Sequence, residues 1–293
     1  MEQNTTSHLT EVPLKNQIGS GVLAFCFLIG IPGNIFVVVA ILRHCSRPSF
    51  TFRLMLTLAA SDVLCLLYAP LAIYNLLWGW HIGDVLCKAG YFFVYLSIFV
   101  SLLTVTLISV HRYVFVLHAE RWGRLGRRGE RMLLAGLWAA ACLPCAALMP
   151  TFGVIREGSM EICWRLPLSD GSRVAVLLSE LVMNFIFPFS TIATCYCCLH
   201  RKVNQTAFFS DQRMTRLVTS IVVTFLILWM PCHAVTLLEM VALCIKPHHL
   251  ALYDKLMAVQ KMSRPVVKSL TFVNSCANPL LYAFQVRSLR SAA

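Results

Sequence analysis

The chain has 293 residues, of which 58% are hydrophobic and only 13% are charged, and its mean hydropathy is +0.72. A soluble domain carries about 25% charged residues, so this composition excludes an ordinary soluble protein. The net charge of +12 comes mostly from short segments between apolar stretches, which favours loops lying on anionic lipid over a nucleic-acid surface.

Seven apolar stretches are each long enough to cross a bilayer, which takes about 20 residues in a helix. They leave no segment of comparable length for a soluble domain, and the polar residues after Glu2 predict no cleavable signal peptide. The sequence predicts an all-α membrane protein, with an N-terminal segment over 1–16, a seven-helix bundle over 17–284 and a tail over 285–293. The stretches are Gln17–His44, Phe50–Trp78, Cys87–Leu117, Met132–Pro150, Val174–His200, Leu217–Cys244 and Leu250–Phe284.

The basic residues indicate how the bundle is oriented. They concentrate in the first, third and fifth loops and in the tail, where the only acids are Glu120, Glu130 and Asp211. Short loops rich in Lys and Arg stay in the cytoplasm. We therefore expect a multi-pass plasma-membrane protein with an extracellular N-terminus, and a glycosylation sequon at Asn4 agrees with that orientation.

The longest outer loop, between the fourth and fifth stretches, contains two short apolar runs around Gly158 and predicts a β-hairpin. Cys163 lies in this loop and Cys87 opens the third helix. An oxidising compartment would join the two cysteines and tie the loop to the bundle. The tail places apolar and basic residues on opposite sides, which predicts a short amphipathic eighth helix on the inner membrane surface.

Costly polar residues lie inside the apolar stretches. Asn278-Pro279 is in the seventh, where proline removes a backbone donor and the asparagine needs a polar partner. Asp62 in the second is a candidate partner, although an ionisable group at membrane depth costs about 2.5–3.5 kcal/mol. Ser101 lies about 16 Å along the third helix from Arg112, near the same depth. These side chains predict one buried polar site, and the simplest interpretation is a hydrogen-bonded network that specifies helix packing.

Further residues, distributed over all seven helices, share the order and spacing of a known family. Taken together they resemble the rhodopsin-like, or class A, G-protein-coupled receptors over nearly the whole chain. They are Gly33-Asn34, Asp62, Cys87 with His111-Arg112-Tyr113, Trp138, Pro188 with Tyr196, Phe225 with Trp229 and Pro231, and Asn278-Pro279-Leu280-Leu281-Tyr282.

The resemblance implies a receptor that is not an enzyme and has no cofactor, and no GxSxG or HExxH motif indicates catalysis. It implies an inhibitory-class heterotrimeric G protein and chemotactic or inflammatory signalling, and leaves arrestin open as another partner. The residues predicted to act in coupling and switching are His111, Arg112, Tyr113, Tyr196, Asp211, Phe225, Pro231 and Tyr282. It also implies a sodium pocket that collapses on activation, since carboxylate, hydroxyl and amide oxygens suit a hard cation. The pocket residues are Asp62, Ser101, Asn274, Ser275 and Asn278.

One position departs from the family pattern. The family usually has an acid before the arginine that corresponds to Arg112, and the acid restrains that arginine. Here the neighbour is His111, which supplies no negative charge when neutral and repels Arg112 when protonated. This predicts either elevated basal activity or a resting state in which Asp211 holds Arg112 instead. The alternative is that His111 simply faces lipid headgroups.

At the outer end of the bundle the sequence is similar to leukotriene B4 receptors. Five polar or charged residues on the fifth, sixth and seventh helices carry the likeness. They are Arg173, Glu180, His233, Glu239 and Arg264. Tyr91 and Phe99 stand where that family has a histidine and a tyrosine, and Lys268 has no counterpart.

Three cations predict an anionic ligand at this end, most simply a carboxylate. Arg264 and Lys268 lie one turn apart on a shared face, and Arg173 lies at the mouth of the fifth helix. The alternative is that they reach the headgroups. His233 and Glu180 would contact ligand hydroxyls, although Glu180 could equally neutralise a cation. The outer cavity also leaves room for the hydrocarbon part of a ligand. The sequence therefore predicts a receptor for an acidic, leukotriene B4-like lipid. The aromatic residues beside the hydrocarbon part are Tyr91, Phe99 and Trp229.

Other functions are disfavoured or stay open. An amine receptor would have an acid at Val94, and a retinal protein a lysine at Phe272. A transporter or channel would have internal repeats or a polar pore, and the sequence shows neither. Peptide chemoattractants stay open as ligands, and so does a scavenging receptor that binds without signalling, which His111 suggests.

Overall fold

Nine helices, joined into seven spans, form most of the residues described by this computed structural model, which are 12–45, 48–158, 160–203 and 212–290. The second span consists of two helices. The fifth also consists of two, joined by a π-helical turn over Val182–Ile186. The helices are α1 Leu14–His44, α2 Phe50–Leu66, α3 Ala69–Trp78, α4 Asp84–Leu117, α5 Ala119–Leu148, α6 Asp170–Leu181, α7 Phe187–Val203, α8 Gln212–Ile245 and α9 Leu250–Arg290.

Six of the described spans are long and apolar enough to cross a membrane, by length and composition. The remaining long helix, α9, carries Lys261, Arg264 and Lys268 in its first half and packs lengthwise against α1 and α8. The bundle predicted from the sequence is therefore present. The six spans are Leu14–Arg43, Phe50–Trp78, Asp84–Leu117, Ala119–Thr151, Asp170–Leu199 and Val223–Ile245.

Proline and glycine mark the breaks in the helices. The second span breaks at Leu67 and Tyr68, just before Pro70 in the first turn of α3, where proline lacks the N–H that would continue the helix. In α5 the backbone bends at Gly126, whose φ of 59° is in the left-handed region that favours glycine. The basic segment before Met132 is part of helix α5 rather than an irregular loop. A salt bridge of 3.2 Å between Glu130 and Arg53 connects it to the start of α2.

A β-hairpin covers one end of the bundle, as predicted. Strand β1, Phe152–Glu157, pairs antiparallel with β2, Met160–Arg165, and Gly158 occupies the turn with φ 65°. The disulfide between Cys87 and Cys163 ties β2 to α4. The side-chain amide of Asn75 on α3 also binds the backbone N–H and C=O of Cys163, at 2.9 and 3.1 Å. We call this the hairpin end of the bundle and the other the opposite end.

Some predicted features lie outside the described residues. Residues 285–290 continue α9 without a break, so the separate amphipathic eighth helix stays a prediction, and 291–293 lie outside the described residues. Asn4 and Asp211 are outside the described ranges, and so is the side chain of Tyr282.

Replacing Cys163 with Ser is expected to lower the free energy of unfolding by about 2–4 kcal/mol, because the disulfide joins residues 76 apart in the chain. The measurement is thermal unfolding of the purified protein. Cys244→Ser removes an exposed free thiol and is the matched control. Equal stability of the two variants would show that the hydrogen bonds of Asn75 are sufficient to hold the hairpin.

Candidate ligand cavity and buried polar network

A polar network lies buried in the middle of the bundle. Nδ2 of Asn278 on α9 donates a hydrogen bond of 2.7 Å to Oδ2 of Asp62 on α2. The Ser101 hydroxyl on α4 donates to Oδ1 of the same carboxylate at 3.4 Å, and Ser61 and Ser101 share a hydrogen bond of 2.8 Å. Asp62 has no exposed surface. The second, third and seventh spans therefore meet at one carboxylate.

Pro279 explains why the first span joins the network. In a helix the Ser275 carbonyl accepts a bond from the N–H four residues on, but here that residue is proline and has none. Nδ2 of Asn34 on α1 donates to this carbonyl at 2.8 Å and to Gly30 of its own helix at 2.9 Å. Gly33 permits the close approach, since a Cβ there would lie 3.0 Å from the Pro279 side chain.

The structure brings together the residues predicted for this site. Asn274 and Ser275 are both buried beside Asn278 on α9. Asn34 and Ser61 belong to the same network, although sequence reasoning did not assign them to it. The signal was available for Asn34, because a proline inside a buried helix always leaves one carbonyl that needs a donor from elsewhere.

A cavity of about 1270 Å³ opens at the hairpin end and reaches down between the helices. It exceeds the range of about 300–1000 Å³ typical of small-molecule sites. Eight of the nine residues predicted to contact a ligand line it, namely Arg173, Glu180, Arg264, Lys268, His233, Glu239, Tyr91 and Trp229.

The ninth residue, Phe99, does not line the cavity. It is buried against Val100 and Leu137, in the core that α4 forms with α5. On α4 the cavity contacts Tyr91, Tyr95 and Ile98, which recur at helical spacing along one stripe. Phe99 lies one position beyond this stripe, so its role as a ligand contact stays a prediction that the cavity lining does not support.

Arg173 on α6 is paired inside the bundle. Its Nε atom lies 2.5 Å from Oε1 of Glu239 on α8. The other oxygen of that carboxylate accepts a hydrogen bond of 2.7 Å from Gln260 on α9. Glu239 is buried, so one carboxylate joins the fifth, sixth and seventh spans at the cavity.

Arg165 is a cavity residue that sequence reasoning missed. It forms a salt bridge with Glu180 on α6 and donates to the Tyr95 hydroxyl on α4 at 3.3 Å. Burial lowers the pKa of Arg165, but the neighbouring Tyr95 and Glu180 raise it by more, so its pKa lies above the usual value for arginine. The sequence did contain a signal for Arg165. Side chains two residues apart in a strand lie on the same face, so Arg165 shares the face of Cys163, which is directed at α4.

Arg264 and Lys268 both contact Trp164 of β2. The Arg264 guanidinium lies 4.1 Å from the ring centroid and pairs with Glu157 at 3.2 Å. The Lys268 ammonium lies 4.3 Å from the same ring. Among the described residues, no carboxylate lies within 4.0 Å of the Lys268 ammonium.

Comparison with known proteins identifies the family. The sequence profile of the 7 transmembrane receptor (rhodopsin family) matches residues 33–282.

The chain belongs to this family.

It is 31% identical over 265 residues to leukotriene B4 receptor 1 of Homo sapiens, an alignment that covers 89% of this chain and 74% of that protein. It is 30% identical to somatostatin receptor type 3 of Rattus norvegicus, covering 88% of this chain and 63% of that protein. It is 29% identical to the C3a anaphylatoxin chemotactic receptor of Danio rerio, covering 92% and 72%. Family membership confirms the predicted receptor class. It implies a multi-pass plasma-membrane protein, not an enzyme, whose partners are a ligand and a heterotrimeric G protein.

Below the cavity of this receptor, rings stack along α8. Trp229 lies 5.5 Å from Phe225 and 5.8 Å from His233, centroid to centroid, and His233 lies 4.7 Å from Phe185 beside the π-helical turn. Phe225 and Trp229 pack on Leu102 of α4. Pro231 interrupts the hydrogen bonds of α8 within this stack. A ligand group that moves Trp229 or His233 would therefore displace α8 close to Pro231, where its backbone hydrogen bonds are interrupted.

At the opposite end, His111 lies in an aromatic cluster. Its ring centroid is 4.4 Å from that of Trp122, in an edge-to-face arrangement, and 5.1 Å from that of Phe50. Arg112 follows it on α4, and Tyr196 of α7 packs against the cluster formed by Phe50, Leu54 and Ile108. Tyr113 contacts His118, with ring centroids 6.1 Å apart. The predicted contact between Arg112 and Asp211 involves a residue outside the described ranges.

Replacing His111 with Asp is expected to lower basal nucleotide exchange on a G protein, because the new carboxylate would lie beside Arg112 and restrain it. The measurement is exchange without ligand in membranes, normalised to the amount of receptor. His111→Phe keeps the packing on Phe50 and Trp122 without adding charge, and should keep the basal rate. Equal basal rates in the wild type and His111→Asp would contradict the idea that the missing acid raises basal activity.

Proposed function

We propose that this chain is a receptor for an acidic lipid mediator similar to leukotriene B4. It activates an inhibitory-class heterotrimeric G protein in chemotactic and inflammatory signalling. The hairpin end faces the outside of the cell, with the N-terminus, and the basic opposite end faces the cytoplasm, where short loops rich in Arg and Lys stay.

The observation that carries the proposal is the unpaired ammonium of Lys268. Arg165, Arg173 and Arg264 line the same cavity, and each has a carboxylate partner. Among the described residues, the Lys268 ammonium lies against a ring face and has no carboxylate within 4.0 Å, so an incoming anion would neutralise it. The described lining as a whole contains seven Lys and Arg side chains and four carboxylates, a surplus of three positive charges.

The effect of ligand binding is transmitted to the G protein by a movement of α8. A ligand anchored on Lys268 and extending down the cavity contacts His233 and Trp229. Their displacement favours the state in which α8 moves about Pro231 and Arg112 becomes available to the G protein. The ligand can shift this equilibrium only by its difference in affinity for the two states.

Asp62 and its polar neighbours would hold a sodium ion, and the bound ion would stabilise the resting state. The buried carboxylate accepts hydrogen bonds from Asn278 and Ser101, which are neutral, so its negative charge is uncompensated by these bonds. Carboxylate, hydroxyl and amide oxygens are hard donors that suit such a cation, and Asn274 and Ser275 lie beside them. The residues present therefore fit the ion.

Replacing Lys268 with Met is expected to raise the half-maximal concentration of leukotriene B4 about 10- to 100-fold, because a hydrogen bond to a charged group contributes about 1.5–3 kcal/mol. The uncharged methyl ester should lose far less. The measurement is ligand-stimulated nucleotide exchange.

Lys261→Met removes an exposed cation of the same cavity and is the control. An equal loss for the acid and its ester, or no loss for either, would contradict the role of Lys268.

Replacing Asp62 with Asn is expected to abolish the dependence of agonist affinity on sodium, measured by exchanging sodium chloride for choline chloride at constant ionic strength. The wild type should bind agonist more weakly in sodium, because the ion favours the resting state. Ser269→Ala, which removes a buried hydroxyl bound to its own helix at Pro265, is the control. Sodium dependence that persists in Asp62→Asn would show that the ion binds elsewhere.

A peptide chemoattractant is the alternative ligand. The cavity is larger than a lipid acid requires, and its rim carries the charged side chains of Arg156, Asp254 and Lys261. A panel of lipid acids and peptides tested for nucleotide exchange separates the two ligand classes. Specific binding of a panel member without exchange on any G protein would identify a scavenging receptor instead.

A further inference from the structure

The cavity has two sides of different chemistry. The side formed by α6, the π-helical turn and α8 presents polar groups, among them Glu180, Asn184 and His233. The side formed by α1, the second span, α4 and α9 also carries polar groups, among them Asn16, Asn75 and Ser269, but six of its apolar residues belong to one cluster or pack against it. We call these six residues the apolar subsite. Its residues are Leu23, Tyr68, Ala72, Leu76, Val94 and Phe272.

The apolar subsite is continuous with the hydrophobic core. Its six residues belong to a single cluster or pack directly against it. Tyr68 is held in place by Gly90 on α4, since a Cβ at that glycine would lie only 2.3 Å from the Tyr68 ring. The ring can therefore lie flat against α4 and form part of the wall.

Close contacts join the helices around the subsite. Nδ2 of Asn16 on α1 donates to the Leu76 carbonyl on α3 at 2.9 Å. Gly19 of α1 faces both α3 and α9, since a Cβ there would lie 3.4 Å from Leu76 and 3.1 Å from the Ser269 hydroxyl. These contacts bring α1 against both neighbours, so the subsite is a pocket inside the bundle with α1 as its outer wall.

The position of Lys268 relates the subsite to the ligand. Phe272 lies four residues after Lys268 on α9, on the same face and about 6 Å deeper. An anion bound at Lys268 therefore has an apolar wall directly beneath it. On the α6 and α8 side, a chain would instead lie against polar groups, including buried His233 Nε2 and Asn184 Oδ1, which have no hydrogen-bond partner among the described residues.

We propose that the apolar subsite binds the hydrocarbon chain of the ligand, with its carboxylate on Lys268. This inference rests on the proposed function, because it assumes an acidic lipid. It assigns chain-length selectivity to α1, α3 and α9, and leaves the polar side of the cavity for the ligand's hydroxyl groups.

The test uses a series of straight-chain carboxylic acids that differ by one methylene, with binding measured as the thermal stabilisation of the purified receptor. Affinity for the wild type should rise about fourfold with each methylene, which corresponds to about 0.8 kcal/mol, until the subsite is full. The chain length at which the rise stops is the quantity compared between variants.

Two variants should move that length in opposite directions. Ala72→Phe fills the subsite and should stop the rise at a shorter chain. Leu76→Ala enlarges it and should stop the rise at a longer one. Opposite shifts cannot come from loss of folded protein, which would weaken all acids alike. Val235→Phe adds an aromatic ring on the α8 side and is the control, for which the length should stay at the wild-type value.

The outcomes separate the two proposals. If the acids bind but the limiting chain length does not change in Ala72→Phe and Leu76→Ala, the subsite proposal is wrong. It is also wrong if that length changes only in Val235→Phe. Either result leaves the acidic-ligand proposal standing. Failure of every acid to bind the wild type would overturn both.

Discussion

A single missing N–H determines how the middle of the bundle is built. Pro279 leaves the Ser275 carbonyl without its helical partner, and Asn34 of the first span supplies the donor. Leaving such a group unpaired in the interior costs about 1–3 kcal/mol, so the two helices are held together at this depth. The adjacent Asn278 then binds Asp62, which also accepts from Ser101. Four of the seven spans are thereby joined through two asparagines and one carboxylate, and the cavity and the opposite end lie on either side of them.

The cavity shows a second use of buried polar groups. Three of its arginines are neutralised by carboxylates on other elements, and these pairs join the hairpin to the nearby ends of the fifth, sixth and seventh spans. Burying charges is favourable only when they are paired and hydrogen-bonded, and each arginine meets this condition. Lys268 is the exception among these cations. Of these four cations, it alone has no carboxylate within 4.0 Å in the part of the chain that the structure describes.

Much of the fold and part of the site could be predicted from the sequence. Bilayer thickness sets the length of each apolar stretch, so the spans and the loop that forms the hairpin were predictable. The meeting of Asp62 with Asn278 was also predictable, because neither group is tolerated alone at that depth. Sequence patterns could not pair the cations with their acids, since a side chain's partner depends on helix rotation and on the path of the hairpin. Arg165 was missed for this reason, and for the same reason the sequence could not show that Phe99 lies in the core rather than in the cavity lining. The helix before Met132 was obscured because its exposed surface lacks the apolar stripe on which the pattern depends.

The hairpin also has a mechanical consequence. Successive side chains of β2 project to opposite sides, so Cys163 and Arg165 grip α4 and α6 while Trp164 between them lies against α9. A displacement of α9 at Trp164 would therefore reach α6 through the hairpin, so the loop couples these helices as well as covering the cavity.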